Sequence, residues 1–390
     1  MAGGTGDVAV EALLDGDHPV KRAASDWATE HLLDVRFEER ERSCEFWAEG
    51  LRRIAASGAL GILAPPSVGG RGAPMAEFLL TLEGLGHGCE DYGLVFAAGA
   101  QVLSTQNALQ RFGTDEQKQQ YLAPLVTGLR RAAFCMSEPE SGSDAFALST
   151  TATRSGDGWV LDGHKCWITF APVADFFMVF ARTNPAAGQW GLSAFVVHAD
   201  DPGISVGENR EKMGLRTVPF GDVVLEGCRV GPERLLGREG AGAAMFSAVL
   251  EDERAFLFAG ELGAMERSLE RAIAHARSRR QFGRPIASFQ AVSHRLADMK
   301  LRHETARALL YKTALLHERG RSITLASALT KIVATEHALD AAIDALRVHG
   351  ARGYVSEFGV ERQVREALGG LFTSGTSDVQ RTIVARMLGL

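Results

Sequence analysis

Apolar residues return every three or four positions through the first third of the chain, a period that predicts amphipathic helices. Residues 31–57 mix charge with apolar positions at that spacing, and Gly58-Ala-Leu-Gly61 ends the run before Pro65-Pro66. Residues 75–85 predict a second helix and 92–112 a third that is mostly apolar. Thr114-Asp-Glu-Gln117 then has the form of a capping box, a hydroxyl and an amide placed to satisfy the free amides of a new helix.

Near Arg131 the period changes. Trp159-Val-Leu-Asp-Gly-His-Lys-Cys-Trp167 puts Asp162-Gly163 between two short β-like runs, the signal of a hairpin. Residues 176–180, 192–197 and 222–225 add short apolar or alternating runs separated by Gly, Pro, Asn and Asp. After Gly242 the helical period returns in 289–317, 323–348 and 360–368. Leu325, Leu329, Ile332, Leu339, Ile343 and Leu346 form one stripe, and Gly320 and Gly350 fall where helices are expected to end. Helices, then strands, then long helices, with no βαβ alternation, predict an α+β multi-domain chain. The boundaries expected are a helical domain over 1–130, a β-domain over 131–240 and a helical bundle over 241–390.

Composition narrows the function classes. At 390 residues the chain is long enough for roughly two to three domains. A net charge of −6 argues against a nucleic-acid binder, which needs a basic face to replace counterions. No window offers the ~18 consecutive apolar residues of a membrane span. The first residues show neither a secretory signal nor an arginine-rich transit segment. Five scattered cysteines, none in a CxxC pair, suggest neither a disulfide framework nor a metal site. The expectation is a cytoplasmic protein with reduced thiols.

Two glycine patterns are decoys. Gly203-Ile-Ser-Val-Gly207 matches a nucleophile elbow, but no apolar helical face follows it, so a polar surface turn is expected. Gly84-Leu-Gly-His-Gly88 lacks the third glycine of a dinucleotide loop and sits in a helical segment. The chemistry resides elsewhere. Phe134-Cys-Met-Ser-Glu-Pro-Glu-Ser-Gly-Ser-Asp144 and Lys165-Cys-Trp-Ile-Thr169 together can build a flat polar-and-aromatic wall without a phosphate loop. Ser137 and Thr169 offer hydroxyls, Phe134 and Trp167 offer ring faces, and Met136 and Ile168 supply main-chain groups flanked by apolar bulk. An isoalloxazine ring needs such donors along one edge and such a cover. On chemistry alone, Trp and Thr on a strand are usually just packing.

These two segments resemble the flavin-contacting motifs of the acyl-CoA dehydrogenase family. The likeness continues in order along the chain. Phe112-Gly-Thr-Asp-Glu-Gln117 is similar to the family's N-terminal helix entry, and Lys212-Met-Gly-Leu-Arg216 and Leu235-Leu-Gly-Arg-Glu-Gly240 to its β-domain exit. Arg279-Arg-Gln-Phe-Gly-Arg-Pro-Ile286, followed by Phe289-Gln290, is similar to the segment that reaches a neighbouring subunit's cofactor. His349-Gly-Ala-Arg-Gly-Tyr354 and Gly375-Thr-Ser-Asp-Val-Gln-Arg381 resemble the closing motifs. The resemblance implies FAD between the last two domains and a homodimer or homotetramer. It implies that Ser143 joins the β-domain contacts and that Arg279, Gln281, Phe282 and Gln290 grip the pyrophosphate and adenine across the interface. Gly350, Ala351, Thr376 and Asp378 would lie along the rest of the cofactor.

The same resemblance implies α,β-dehydrogenation of an acyl thioester carried by CoA or a carrier protein. Electrons would leave to an electron-transfer flavoprotein or to oxygen. Many relatives carry a glutamate base immediately before the last Gly-Thr-Ser, where this chain has Ser374. Glu253-Arg254 is in register with the Glu-Arg pair of isovaleryl- and long-chain-type relatives, so Glu253 is the expected base. Arg254 would orient it or line the pocket, and the main-chain amide of Ser374 would polarise the thioester carbonyl. Glu253 shares a helix face with Phe256, Leu257 and Gly260, an apolar stripe that would raise its pKa. Pairing of Glu253 with a cation such as Arg254 is the plainer alternative, and Glu251, Asp252 and Glu261 read as solvated or paired. The first motif also has Glu140-Ser-Gly142 for the family's Gly-Ala-Gly, and Arg347 for an expected glutamine. Altered pocket residues fit a carrier-protein substrate. A flavin monooxygenase or thioester oxidase on the same fold, and a cofactor-free interaction protein, remain the rival classes.

Overall fold

The computed structural model describes residues 16–390. Helices Pro19–His31, Phe37–Ser43, Ala48–Ala56, Met75–Gly88 and Tyr92–Gln101 come first. The single helical run expected over 31–57 is therefore broken. Leu32 leaves helical geometry, and Cys44 takes a left-handed backbone at φ 57°, which turns the chain between two short helices. The apolar third helix continues through a π-helical turn, Val102–Gln106, into Asn107–Phe112. The capping box forms as expected: Thr114 Oγ1 accepts from Gln117 N at 3.2 Å, and Thr114 N donates to Gln117 Oε1 at 3.1 Å. Gln117 Nε2 also donates to Glu233 O and Leu235 O, each at 2.9 Å, tying the N-terminal helices to the end of the sheet.

Strands β1 (Ala132–Cys135), β2 (Thr151–Ser155), β3 (Gly158–Thr169), β4 (Phe176–Arg182), β5 (Leu192–His198), β6 (Ile204–Val206), β7 (Phe220–Val230) and β8 (Leu235–Leu236) form one sheet. Its order is β6-β7-β3-β2-β4-β5-β8, with β1 parallel to β4. The expected hairpin at Asp162-Gly163 is not there. The turn lies at Gly156-Asp157, between β2 and β3, and Asp162-Gly163 sits inside β3 at a register shift against β7. Asp162 Oδ1 accepts from Gly227 N at 2.6 Å, and a side chain at Gly163 would strike Thr150. The bulge is in β7, where Glu226 and the left-handed Gly227 (φ 62°) together stand opposite Asp162. The GxSxG decoy forms edge strand β6 plus a loop, with no helix after it.

Alternation in β4 sends its side chains into two cores. Phe177, Val179 and Ala181 join the larger core, while Phe176, Met178 and Phe180 pack with Leu109, Tyr121 and Val249. Both faces of the strand are covered, which is why it reads as a continuous apolar run.

Gly242–Phe256, Ala259–Ser278, Gln290–Glu318, Thr324–His349, Val360–Gly370 and Ser377–Met387 form the C-terminal bundle. The leucine stripe of 324–349 is only half-buried. The face packed inward carries Ala328, Lys331, Ala334, Thr335, Ala338 and Ala345, because small residues let neighbouring helices approach closely. The glycines of the second decoy do the same work. A Cβ at Gly86 would lie 1.9 Å from the Gly260 oxygen, so Met75–Gly88 crosses Ala259–Ser278 backbone to backbone. Among the described residues, no helix is long and apolar enough to cross a membrane.

Candidate active site

The two β-domain motifs are pinned together by a buried ion pair that the sequence reading did not single out. Lys165, at 0% exposure on β3, places Nζ 2.8 Å from Glu138 Oε1 and 3.2 Å from Met136 O. Cys166 N donates to Ser137 O at 3.0 Å. Glu138 also accepts from Ser149 N and Oγ and from Thr150 N and Oγ1, at 2.5–3.0 Å. Burial alone would raise its pKa. The Lys165 charge and the bonds from Lys165, Thr150 and Ser149 outweigh that and hold it at about 2. Lys165, set in β3 between His164 and the apolar Cys166-Trp167-Ile168, was the available signal, while Glu138 lies in the loop after β1.

Above this pair, β3 ends in Trp167, Ile168 and Thr169. Trp167 is left-handed at φ 61°, so its ring leaves the pleat, and it is 53% exposed. Its indole is stacked with Phe220 at 6.3 Å, and the Arg210 guanidinium lies 4.9 Å from the ring centroid. Ile168 and Met136 are buried, and Ser143 is exposed on the loop after β1. Phe134 packs on Phe180 (5.0 Å) and stacks on Phe246 (6.2 Å), which belongs to the helix Gly242–Phe256.

Phe246, Leu250 and Glu253 share one face of that helix at i, i+4 and i+7. Leu257 continues the apolar face, but the chain kinks at Phe258 and a new helix starts at Ala259, so Gly260 lies beyond the shared face. Glu253 Oε1 accepts from Ser374 Oγ at 2.6 Å. Burial pushes the Glu253 pKa up, with the Ser374 bond and the Arg254 charge acting against it. No ion pair joins Glu253 to any cation among the described residues, so the pairing alternative fails. Arg254 is itself buried, its Nε has no hydrogen-bond partner among the described residues, and the charges acting on it are those of Glu251 and Glu253.

The other acids differ. Glu251 accepts from Thr324, and Asp252 is buried against Arg111, Asn107 and His317. Glu261, expected to be solvated or paired, is neither. Burial and the neighbouring Glu366 push it to about 8, and Glu366 is raised likewise.

Ser374 sits on the loop between Val360–Gly370 and Ser377–Met387 at φ 56°. Its backbone N–H has no acceptor among the described residues. Thr376 caps the last helix through Val379 N, and Asp378 is exposed in its first turn beside Arg381. A third group stands apart. Arg279, Gln281, Phe282 and Gln290 are exposed on or beside the hairpin Arg280–Gln281/Arg284–Pro285, with Phe282 93% exposed. His275 and His349 stack at 4.4 Å and bring the Arg279 helix end beside Gly350 and Ala351. No hydrogen bond, ion pair or ring contact joins this group to Glu253 or Trp167 within the protomer.

These residues fit a flavin nucleotide. An indole face stands clear of the sheet, the Ser137 and Thr169 hydroxyls and the Arg279 guanidinium have no partner among the described residues, and open backbone surrounds Gly350.

Family models for the N-terminal, middle and C-terminal domains of acyl-CoA dehydrogenase match residues 17–129, 133–228 and 240–389. An L-prolyl-[peptidyl-carrier protein] dehydrogenase of Pseudomonas fluorescens is 42% identical over 351 residues, 90% of this chain and 92% of that protein. The crystal structure of the prolyl acyl carrier protein oxidase AnaB superposes with a TM-score of 0.93 at 35% identity, covering 100% of both chains. PigA with FAD and proline superposes with a TM-score of 0.91 at 33% identity, again over 100% of both. The chain therefore belongs to the acyl-CoA dehydrogenase family, FAD-dependent oxidoreductases that act on CH–CH bonds.

Proposed function

We propose that this protein dehydrogenates an acyl group held as a thioester on a carrier protein, a prolyl or related aminoacyl group in the first instance, with Glu253 as the base. One observation carries the reading: a desolvated carboxylate, paired with no cation, faces the Ser374 loop from the helix face that also presents Phe246. Bound FAD supplies the acceptor for the β-hydrogen, which leaves as hydride. Trp167, Thr169 and Ser137 hold its ring, and Arg279, Gln281, Phe282 and Gln290 reach the nucleotide end of a second copy's cofactor. Exposure of Phe282 and of the half-buried leucine stripe supports a homodimer or homotetramer.

Glu253 takes the α-proton. Its elevated pKa makes it a stronger base once ionised, and the apolar face excludes water that would compete for the proton. The Ser374 N–H, without an acceptor among the described residues, donates to the thioester oxygen as negative charge develops there, the enolate-stabilising role of an oxyanion hole. Both CoA and a carrier protein present a phosphopantetheine arm, so the carrier assignment rests on the relatives rather than on the pocket. An electron-transfer flavoprotein or oxygen then takes the electrons.

The test is anaerobic bleaching of the 450 nm band, about where oxidised flavins absorb, by prolyl-carrier protein, other aminoacyl-carrier proteins and a series of acyl-CoAs. Bleaching by the carrier-bound prolyl group and loss of bleaching in Glu253→Gln with FAD retained are expected. Reduction only by acyl-CoAs would replace the substrate class, and wild-type rates in Glu253→Gln would remove the base.

A further inference from the structure

Ser374 is unusual in two respects at once. It is a non-glycine residue held left-handed, at φ 56°, and its hydroxyl makes the one side-chain hydrogen bond that Glu253 receives among the described residues. Left-handed geometry is unfavourable for an L-residue, so the surrounding structure must hold it there. It does so from below. Gln380 Nε2 donates to Gly375 O (3.1 Å) and reaches Ser374 O (3.4 Å), and Thr373 Oγ1 donates to Gly369 O (3.0 Å). Lys331, at 0% exposure on Thr324–His349, donates to Leu371 O (3.1 Å) and reaches Ser377 Oγ (3.5 Å), so it fixes both ends of the loop.

The consequence is directional. With Oε1 engaged by the hydroxyl, Oε2 has no hydrogen bond among the described residues and keeps its lone pairs for a proton. Of the charges nearby, Arg254 acts on Glu253 from the same helix, while Lys331 faces Arg254 and the loop, and Glu251 is bonded to Thr324. A carboxylate with one donor and no ion-pair partner among the described residues is otherwise free to rotate about its last torsion, which is broad and soft.

We propose that the Ser374 hydroxyl is a positioning residue for the base, fixing Oε1 of Glu253 so that Oε2 alone meets the substrate. This rests on Glu253 being the base, but its test does not. A donor to the ionised form also favours that form, so removing the hydroxyl raises the pH at which the carboxyl ionises.

The experiment uses the FAD-loaded enzyme and no substrate. The carboxyl of Glu253 is titrated by its infrared C=O band, identified by its absence in Glu253→Gln. Ser374→Ala removes the hydroxyl and keeps the strain; Ser374→Gly removes both. Both should move the titration upward by roughly one pH unit. Ser374→Asn, which tolerates left-handed backbone and carries an amide donor, should restore at least half of that shift. An unmoved titration in Ser374→Ala overturns the proposal, as does a shift confined to Ser374→Gly, which would assign the effect to the backbone. Failure of Glu253 as base would show only in flavin reduction, leaving the carboxyl titration as a separate reading.

Discussion

Glu138 is buried and Glu253 half-buried, and the two are held in opposite ways. Glu138 lies in the β-domain under two backbone amides, two hydroxyls and the Lys165 ammonium, and it stays ionised down to about pH 2. Glu253 lies on the bundle helix with one hydroxyl, and burial pushes its pKa up. The number of donors separates the two. A saturated carboxylate becomes a fastener, and a sparsely supported one keeps the proton affinity that chemistry needs.

The strongest way to break this contrast is Glu138→Gln. It leaves Lys165 buried beside an uncharged amide and should cost about 3–5 kcal/mol in urea unfolding, together with loss of bound FAD. Because the folded pKa lies below the ordinary 4.5, the stability Glu138 supplies is full above pH 4.5 and lost as pH falls toward 2. The variant should lack that acid-dependent loss. Removing both partners, Glu138→Leu with Lys165→Met, should recover most of the deficit, since no lone charge remains. A double variant as unstable as the single would mean that the four neutral donors, not the ion pair, hold the motifs together.

Carboxylates of the opposite kind sharpen the comparison. Glu261 and Glu366 have folded values near 8, above the ordinary 4.5. Their contribution is therefore greatest below pH 4.5 and is lost as pH rises toward 8. Glu366→Gln should flatten the decline in urea midpoint between about pH 5 and 8. Glu253→Gln should match wild type near pH 4 and exceed it at pH 8, even as it abolishes turnover. Destabilisation at both pH values would place Glu253 with the fasteners.

Much of the site was legible because its elements announce themselves locally. Long periodic runs located the bundle helices, and the i+4 spacing of Leu257 placed Glu253 on an apolar face. What misled was local pattern overruled by tertiary packing. Asp162-Gly163 carries the chemistry of a turn, but β7 runs past it and accommodates the extra residue as a bulge. The leucines of 324–349 look like a core stripe, yet alanines and Lys331 take the inner face because the helices there are too close for leucine. Glu138 and Lys165 could not be paired from the sequence, since nothing local states that each is the other's partner. The Ser374–Glu253 contact joins residues too distant in sequence for any spacing rule.

Gly86 meets Gly260 at the bend that follows the helix bearing Glu253. Glu253 is thus gauged against the N-terminal layer with a tolerance smaller than one methyl group. A chimera whose first third came from a relative with bulkier residues at this crossing would re-aim the carboxylate without altering a single atom around it.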